Sequence, residues 1–305
     1  MNCPKCLLPG ARVALVATAR KVGPEEVQPA IDLLRSWQLE PVVDEGLYAA
    51  YNQMAGHDAH RAAMLQRYVD DDSVDAILCV RGGYGTVRVV DRVDFRHLIR
   101  HPKWIIGYSD VTVLHSHLHT TLNLATLHAT MPVDIPADPS RWEAPALSSM
   151  HDALFWGKTQ MTGAVGELTR PGVATAPLVG GNLSILYSLC GSPSDIDTTD
   201  SILLIEDLDE YVYHIDRMMQ NLLRTGKLDR LKGLIVGAMS DMHDNTIPFG
   251  KSAEEIISDI VADFDFPVLF HAPIGHIGLE NRALLLGVPT TLDISSQSFS
   301  ITQQC

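Results

Sequence analysis

Five short apolar runs divide the first half of the chain: RVALVAT (12–18), PVVD (41–44), DAILCV (75–80), WIIGY (104–108) and LATLHA (124–129). Their apolar residues are contiguous, whereas a strand with one wet face would alternate. Runs of this kind bury both faces. Between them, EVQPAIDLLRSW (26–37) and AHRAAMLQRYVDD (59–71) place apolar residues three and four apart, the spacing of amphipathic helices. Strands buried on both faces and separated by helices predict a parallel sheet covered on two sides. Pro29 falls inside the first helical pattern, so that helix is expected to start close to it.

From 132 to 177 the pattern weakens, and Pro132, Pro136, Pro139, Pro145, Pro171 and Pro177 interrupt it. One helical stretch, 143–156, survives. The second half opens with APLVGGNLSILYSLCGSP and continues with a strand SILLIE (201–206) and a helix VYHIDRMMQNLLRTG. A strand GLIVGAM (233–239), a helix near 252–263 and the short strands PVLF, ALLLG, TTLDI and FSI follow. The expectation is an α/β protein with an N-terminal domain over 1–135, a linker over 136–177 and a C-terminal domain over 178–305. A cleft between two domains is a common place for a ligand.

With 23 basic and 37 acidic residues the chain carries a formal charge of −14, which repels a phosphate backbone; nucleic acid is not an expected partner. No apolar run reaches the length of a membrane span. VALVATA (13–19) imitates a signal-peptide core, but Pro9, Gly10 and Arg12 interrupt what precedes it. It reads as a buried first strand of a cytoplasmic protein. Five cysteines, an odd number, argue against a disulfide framework. Cys3 and Cys6 form a CxxC pair with no second half at zinc-finger spacing and read as plain thiols; Cys79 and Cys190 lie in apolar runs and read as core.

The stretch WIIGYSDVTVLHSHLH (104–119) offers two kinds of chemistry. Ser109 stands between a strand and a helix, so it is either an N-cap or a nucleophile with helix amides beside it. It lacks the G-x-S-x-G pattern of α/β-hydrolases. On the helix, His115 and His119 share a face, but the zinc-protease pattern needs a glutamate where Ser116 stands. The histidines therefore read as helix surface and packing. RGGYGT (81–86) follows a buried strand and fits neither phosphate-binding glycine motif; it is either a plain turn or a place where backbone amides approach a ligand. LLIEDLDEY (203–211) sets Glu206 and Asp207 at the end of a buried strand, as functional groups or as a solvated acidic loop. APIGHIGLENRALLLG (272–287) places His276 in a glycine-rich loop.

Together and in this order these segments resemble one family, the serine peptidases comprising bacterial LD-carboxypeptidases (muramoyltetrapeptide carboxypeptidases) and microcin C immunity peptidases. The resemblance rests on LLPGARVALVA, VRGGYGTVRVVDRVDF, WIIGYSDVTVLHSHL, LVGGNLSILYSLCGSP, ILLIEDLDEYVYHIDRMMQNLLRTGKL, GLIVG and APIGHIGLENRALLLG, which span about residues 7–292. It implies a Rossmann-like N-terminal parallel-sheet domain, a smaller swivelling-type C-terminal α/β domain and an active site in the interdomain cleft. It also implies a Ser109–Glu206–His276 triad, with Ser109 as nucleophile, His276 as general base and Glu206 as its orienting carboxylate. The backbone N–H groups of Gly83 and Asp110 would form the oxyanion hole. No metal or cofactor is implied, and a homodimer is. The implied reaction removes terminal D-alanine from murein tetrapeptide in peptidoglycan recycling. The alternatives are cleavage of an aminoacyl- or peptidyl-nucleotide amide, a catalytically silent peptide-binding protein, and a metallohydrolase built on His115 and His119. LVATAR stands where the family more often has Pro-Ser after the first strand, and ALLLG lacks a proline common in the last motif. The chain shows no insertion of the kind that carries the immunity peptidases' nucleotide loop, which favours the cell-wall reading.

Overall fold

The computed structural model describes residues 2–305. The first half builds five mutually parallel strands, β1 (Arg12–Val16), β2 (Glu40–Val42), β3 (Ala76–Cys79), β4 (Trp104–Gly107) and β5 (Thr126–His128). The helices α1 (Pro24–Ser36), α2 (Asp58–Asp70), α3 (Thr112–Leu122) and α4 (Pro145–Trp156) accompany them. The residues of β1, β3 and β4 are almost wholly buried, as contiguous apolar runs require. One apolar core joins these strands to Val27, Ile31, Leu34, Leu65 and Leu114 of the helices.

Helix α1 begins at Pro24 rather than near Pro29. Pro24 occupies the first turn, where its missing N–H costs nothing, and Glu26 accepts a bond from the N-cap amide of Gly23 at 2.7 Å. Pro29 lies inside the helix, where it forfeits one bond, to the carbonyl of Glu25. That residue is exposed, so water can serve its carbonyl.

The second sheet contains β6 (Lys158–Ala164), β7 (Gly172–Asn182), β8 (Ile202–Leu208), β9 (Gly233–Ser240) and β10 (Val268–Leu269). The chain then forms β11 (Leu284–Leu286), β12 (Pro289–Ile294) and β13 (Ser298–Gln304). The sheet order is β10-β9-β8-β7-β12-β13-β6, parallel from β10 to β7 and antiparallel beyond. Strand β11 leaves this sheet and pairs antiparallel with β5, completing the first sheet as β11-β5-β4-β3-β1-β2. Helices α5 (Leu183–Leu189), α6 (Val212–Arg224) and α7 (Ala253–Ile260) cover one face of the second sheet. In α6 the buried Val212, Ile215, Met218, Met219 and Leu222 form a single stripe, as the sequence spacing predicts.

Residues 136–177, expected as a linker with one helix over 143–156, carry that helix as α4 and, beyond it, β6 and half of β7. Strand β6 alternates exposed and buried residues because one of its faces is wet, so it lacks the contiguous apolar signal of the parallel strands. Cys3, expected as a plain thiol, forms a disulfide with Cys305, their Cα atoms 6.3 Å apart. Backbone bonds between Asn2 and both Asn123 and Ala125, and from Cys305 N to Gly157 O, bring the two segments together. An odd cysteine count excludes complete pairing, not a single bridge. Cys6 remains an exposed thiol, and burial pushes the Cys79 thiol up to about 12. Among the described residues no helix is long and apolar enough to cross a membrane.

Candidate active site

At the end of β4 the chain turns sharply through Gly107, Tyr108 and Ser109 before entering α3. Ser109 has φ +61°, a left-handed conformation that costs a β-carbon-bearing residue roughly 1–3 kcal/mol. Its hydroxyl caps nothing: Tyr108 precedes the short turn Ser109–Val111, and no side-chain cap bond forms. The N-cap reading is therefore overturned, and the Ser109 hydroxyl makes no capping bond to offset the strain. Behind the corner, His115 is buried and its Nε2 donates to the carbonyl of Gly107 at 3.0 Å. Burial pulls the His115 pKa down to about 4, so the ring is neutral and holds the corner as a plain donor. His117 bonds Ser194 Oγ through Nδ1 at 2.9 Å. Among the described residues the structure brings no third metal-ligating side chain to His115 and His119.

The glycine loop after β3 packs directly on this corner. A β-carbon on Gly82 would stand 3.1 Å from both Cβ and Oγ of Ser109. Gly83 has φ +102°, and a β-carbon there would strike the Arg20 side chain at 2.6 Å; only glycine fits. A buried polar network that sequence patterning does not reveal fixes the loop. Thr86 N donates to Asp110 Oδ2 at 2.9 Å, and Thr86 and Thr18 hydroxyls meet at 2.8 Å. The fully buried Arg61 donates to the carbonyls of Thr18 and Gly85 and pairs with Asp58. Asp110 is almost completely buried, which raises its pKa against the opposing bonds from Thr86 and Gly85 and the charge of Arg61. The side chain of Asp110 thus ties the glycine loop to the corner that carries Ser109.

From the second sheet, β8 ends in Glu206 and Asp207, both buried, so the solvated-loop reading is overturned. Adjacent residues of a strand point to opposite faces. Asp207 accepts from Asn182 Nδ2 at 2.9 Å and from Ser184 N at 2.8 Å at the start of α5. Burial and the neighbouring Glu206 push its pKa up to about 6. Glu206 Oε2 lies 2.7 Å from His276 Nδ1. Gly275 has φ +106°, and a β-carbon there would lie 2.7 Å from Glu206 Oε2, so the loop's glycine makes room for the carboxylate. Burial draws the His276 pKa down, but the Glu206 hydrogen bond together with the charges of Glu206, Asp207 and Asp134 leaves it raised.

The two sheets meet at this place. Asn182 N donates to Thr112 Oγ1 at 3.0 Å, and the Tyr108 ring sits 4.9 Å from the His276 imidazole. Tyr108 is held in turn by its hydroxyl, which donates to Asp134 Oδ2 at 3.0 Å; burial raises the pKa of both partners. His276 thus packs on the ring of Tyr108, the residue that precedes Ser109. Among the described residues no hydrogen bond joins Ser109 Oγ to His276, and contacts of this kind tighten when substrate binds. Beside Gly83 opens a cavity of about 530 Å³ whose lining includes Arg20, Lys21, Tyr48 and Arg81. Arg81 is paired with Glu26 at 2.8 Å.

The fold matches solved proteins over nearly its whole length. The muramoyltetrapeptide carboxypeptidase from Oxalobacter formigenes superposes with a TM-score of 0.85 at 24% identity, covering 97% of this chain and 99% of that one. The microcin C7 self immunity protein MccF superposes with a TM-score of 0.86 at 18% identity, covering 99% and 98%. In sequence, residues 13–129 match the LD-carboxypeptidase N-terminal domain and 175–292 its C-terminal domain. A Bacillus subtilis (strain 168) protein named "Probable murein peptide carboxypeptidase" is 36% identical over 282 residues, 90% of this chain and 86% of that protein. The architecture is that of a two-sheet α/β hydrolase. The chain belongs to the LD-carboxypeptidase family and is a peptidase.

Proposed function

We propose that this peptidase is a serine LD-carboxypeptidase that releases terminal D-alanine from a murein tetrapeptide. The observation that carries the reading is the bond between buried Glu206 and half-buried His276, whose imidazole packs on Tyr108, the residue before a strained, uncapped Ser109. In the proposed course His276 Nε2 takes the Ser109 proton as Oγ attacks the carbonyl carbon preceding D-alanine. Glu206 accepts from Nδ1–H, fixing the tautomer and stabilising the imidazolium. The N–H groups of Gly83 and Asp110 receive the oxyanion, a contribution of about 10²–10³ in rate for a single donor in other enzymes. Collapse breaks the C–N bond, and His276 returns the proton to the departing amine. Water, deprotonated by the same imidazole, then hydrolyses the acyl ester and restores Ser109. The cavity lined by Arg20, Lys21 and Arg81 suits a substrate rich in carboxylates, as murein peptides are. The reading needs no metal or cofactor, and the protein is proposed to act as a homodimer.

A second reading is amide cleavage on an aminoacyl nucleotide, favoured by the equal structural likeness to MccF, which has been solved with glutamyl sulfamoyl guanosine. Purified protein incubated with murein tetrapeptide and, separately, with an aminoacyl sulfamoyl nucleotide separates the two by mass spectrometry. D-Alanine and tripeptide are expected from the first and little product from the second. Nucleotide release without D-alanine would reverse the assignment.

A further inference from the structure

At the opposite end of β4 from Ser109, three side chains converge that the peptidase chemistry does not use. His97 lies in the middle of the short helical turn Phe95–Ile99, and the N–H of His101 donates to its carbonyl at 3.1 Å, so the two histidines stand one turn apart. Their imidazoles stack with centroids 4.8 Å apart and planes inclined by 9°. Asp72, from the turn between α2 and β3, sets Oδ1 at 2.7 Å from His97 Nε2 and 3.4 Å from His101 Nδ1. One ligand atom from each residue lies within 4.8 Å of the others. In a tetrahedral site with metal–nitrogen bonds of about 2.0–2.1 Å, donor atoms stand roughly 3.3 Å apart. Exposed side chains reach that spacing by small torsional adjustments.

The backbone beneath this cluster is fixed. The buried Lys103 donates to the carbonyls of Tyr68, Val69 and Asp71 at 2.8, 3.0 and 2.6 Å. It thereby clamps the end of α2 and the start of the turn that carries Asp72 to the segment two residues beyond His101. Asp71 fixes the turn further, accepting from Ser73 N at 2.9 Å. Lys103 lies near the carboxylates of Asp70, Asp71, Asp72 and Asp75, while Lys5 and Arg100 border the same cavity. Asp72 and His101 also line a cavity of about 490 Å³, bordered by Cys6, Asp75 and Lys103. Water can therefore complete a coordination shell.

We propose that Asp72, His97 and His101 form a binding site for a first-row divalent cation, Zn²⁺ foremost, separate from the peptidase site. Two imidazoles and one carboxylate suit zinc and its first-row neighbours, which accept nitrogen donors, over magnesium or calcium, which require oxygen. His97 now presents its Nε2 towards Asp72. Binding exchanges that contact for coordination, with the ring proton resident on Nδ1 and Asp72 shifting from acceptor to ligand. Three protein donors leave the remaining positions to water.

Isothermal titration of the tag-free full chain with Zn²⁺, paired with thermal unfolding, tests the site. One equivalent is expected to bind and to raise Tm, since a ligand of the folded state stabilises it by mass action. H97A, H101A and D72A are each expected to weaken binding by at least about tenfold, the lower bound for lesser changes around metal sites. The control H214A/H243A, which alters histidines elsewhere on the surface, should leave binding unchanged. Absence of binding to the wild type, or equal affinity in H97A/H101A, would overturn the site. Chelation should leave D-alanine release unaffected, so this result and that of the peptidase assay are read independently.

Discussion

Replacement of Ser109 by alanine is expected to lower kcat/KM for the proposed D-alanine release by about 10⁴-fold or more, as loss of a nucleophile does in other serine peptidases. The fold should survive. The Ser109 hydroxyl makes no capping bond, and alanine meets the same left-handed backbone cost as serine. Substrate binding should persist, because the cavity beside Gly83 and the Asp110–Thr86 bond are untouched. Steady-state kinetics with circular dichroism on the variant checks both halves. Activity near the wild-type level would remove Ser109 from the mechanism and return it to a structural corner.

The second large effect is expected at Glu206. Glu206→Gln keeps the shape but removes the charge that opposes the imidazolium, and a drop of about 10³–10⁴ in kcat follows by analogy with carboxylate-to-amide changes in other triads. The pH profile should change with it. In the proposed mechanism neutral His276 is the base, so activity is expected above its pKa and is lost as pH falls through it. In the wild type that pKa is raised: burial lowers it, but Glu206, Asp207 and Asp134 together overcome burial. The acid limb should therefore lie above the ordinary imidazole value of about 6.5. Without the Glu206 charge, burial regains ground and the limb moves to lower pH. Asp207, itself at about 6, titrates close to this limb and withdraws its support as it protonates, so the limb belongs to a coupled set. A limb that does not move in Glu206→Gln would detach Glu206 from His276.

Much of the scaffold was legible in the chain because it rests on hydrophobic patterning. The buried runs became β1, β3 and β4, and the three-four spacing of 212–222 became α6. Pairing partners were not legible. Leu284–Leu286 is an apolar run among three others, and nothing in its composition says that it joins the first sheet rather than the second. Strands β6 and β7 were hidden because a half-wet strand carries a weaker signal than a buried one, and prolines obscured it further. The disulfide was missed because Cys3 and Cys305 are separated by 302 residues and meet only through the fold.

The candidate site divides along the same line. Ser109, Glu206 and His276 drew notice through their positions at strand ends and through family order. The groups that hold them did not. Arg61, Thr86 and Asp110 form a buried network, and periodicity reads such residues as surface because charged groups are seldom buried unless paired. Asp134, in a proline-flanked loop, gave no sign that it would bond Tyr108 beside His276. Sequence pattern marks where a backbone enters the core. It does not mark which polar side chains meet there.

The most direct test of the central claim is rapid-quench mass spectrometry of the intact protein with murein tetrapeptide. The account predicts a transient adduct of tripeptidyl mass on the peptide containing Ser109, formed with a stoichiometric burst of D-alanine. The adduct should be absent in Ser109→Ala. Steady release of D-alanine by a protein that never carries the adduct, and by Ser109→Ala as fast as by the wild type, would contradict it.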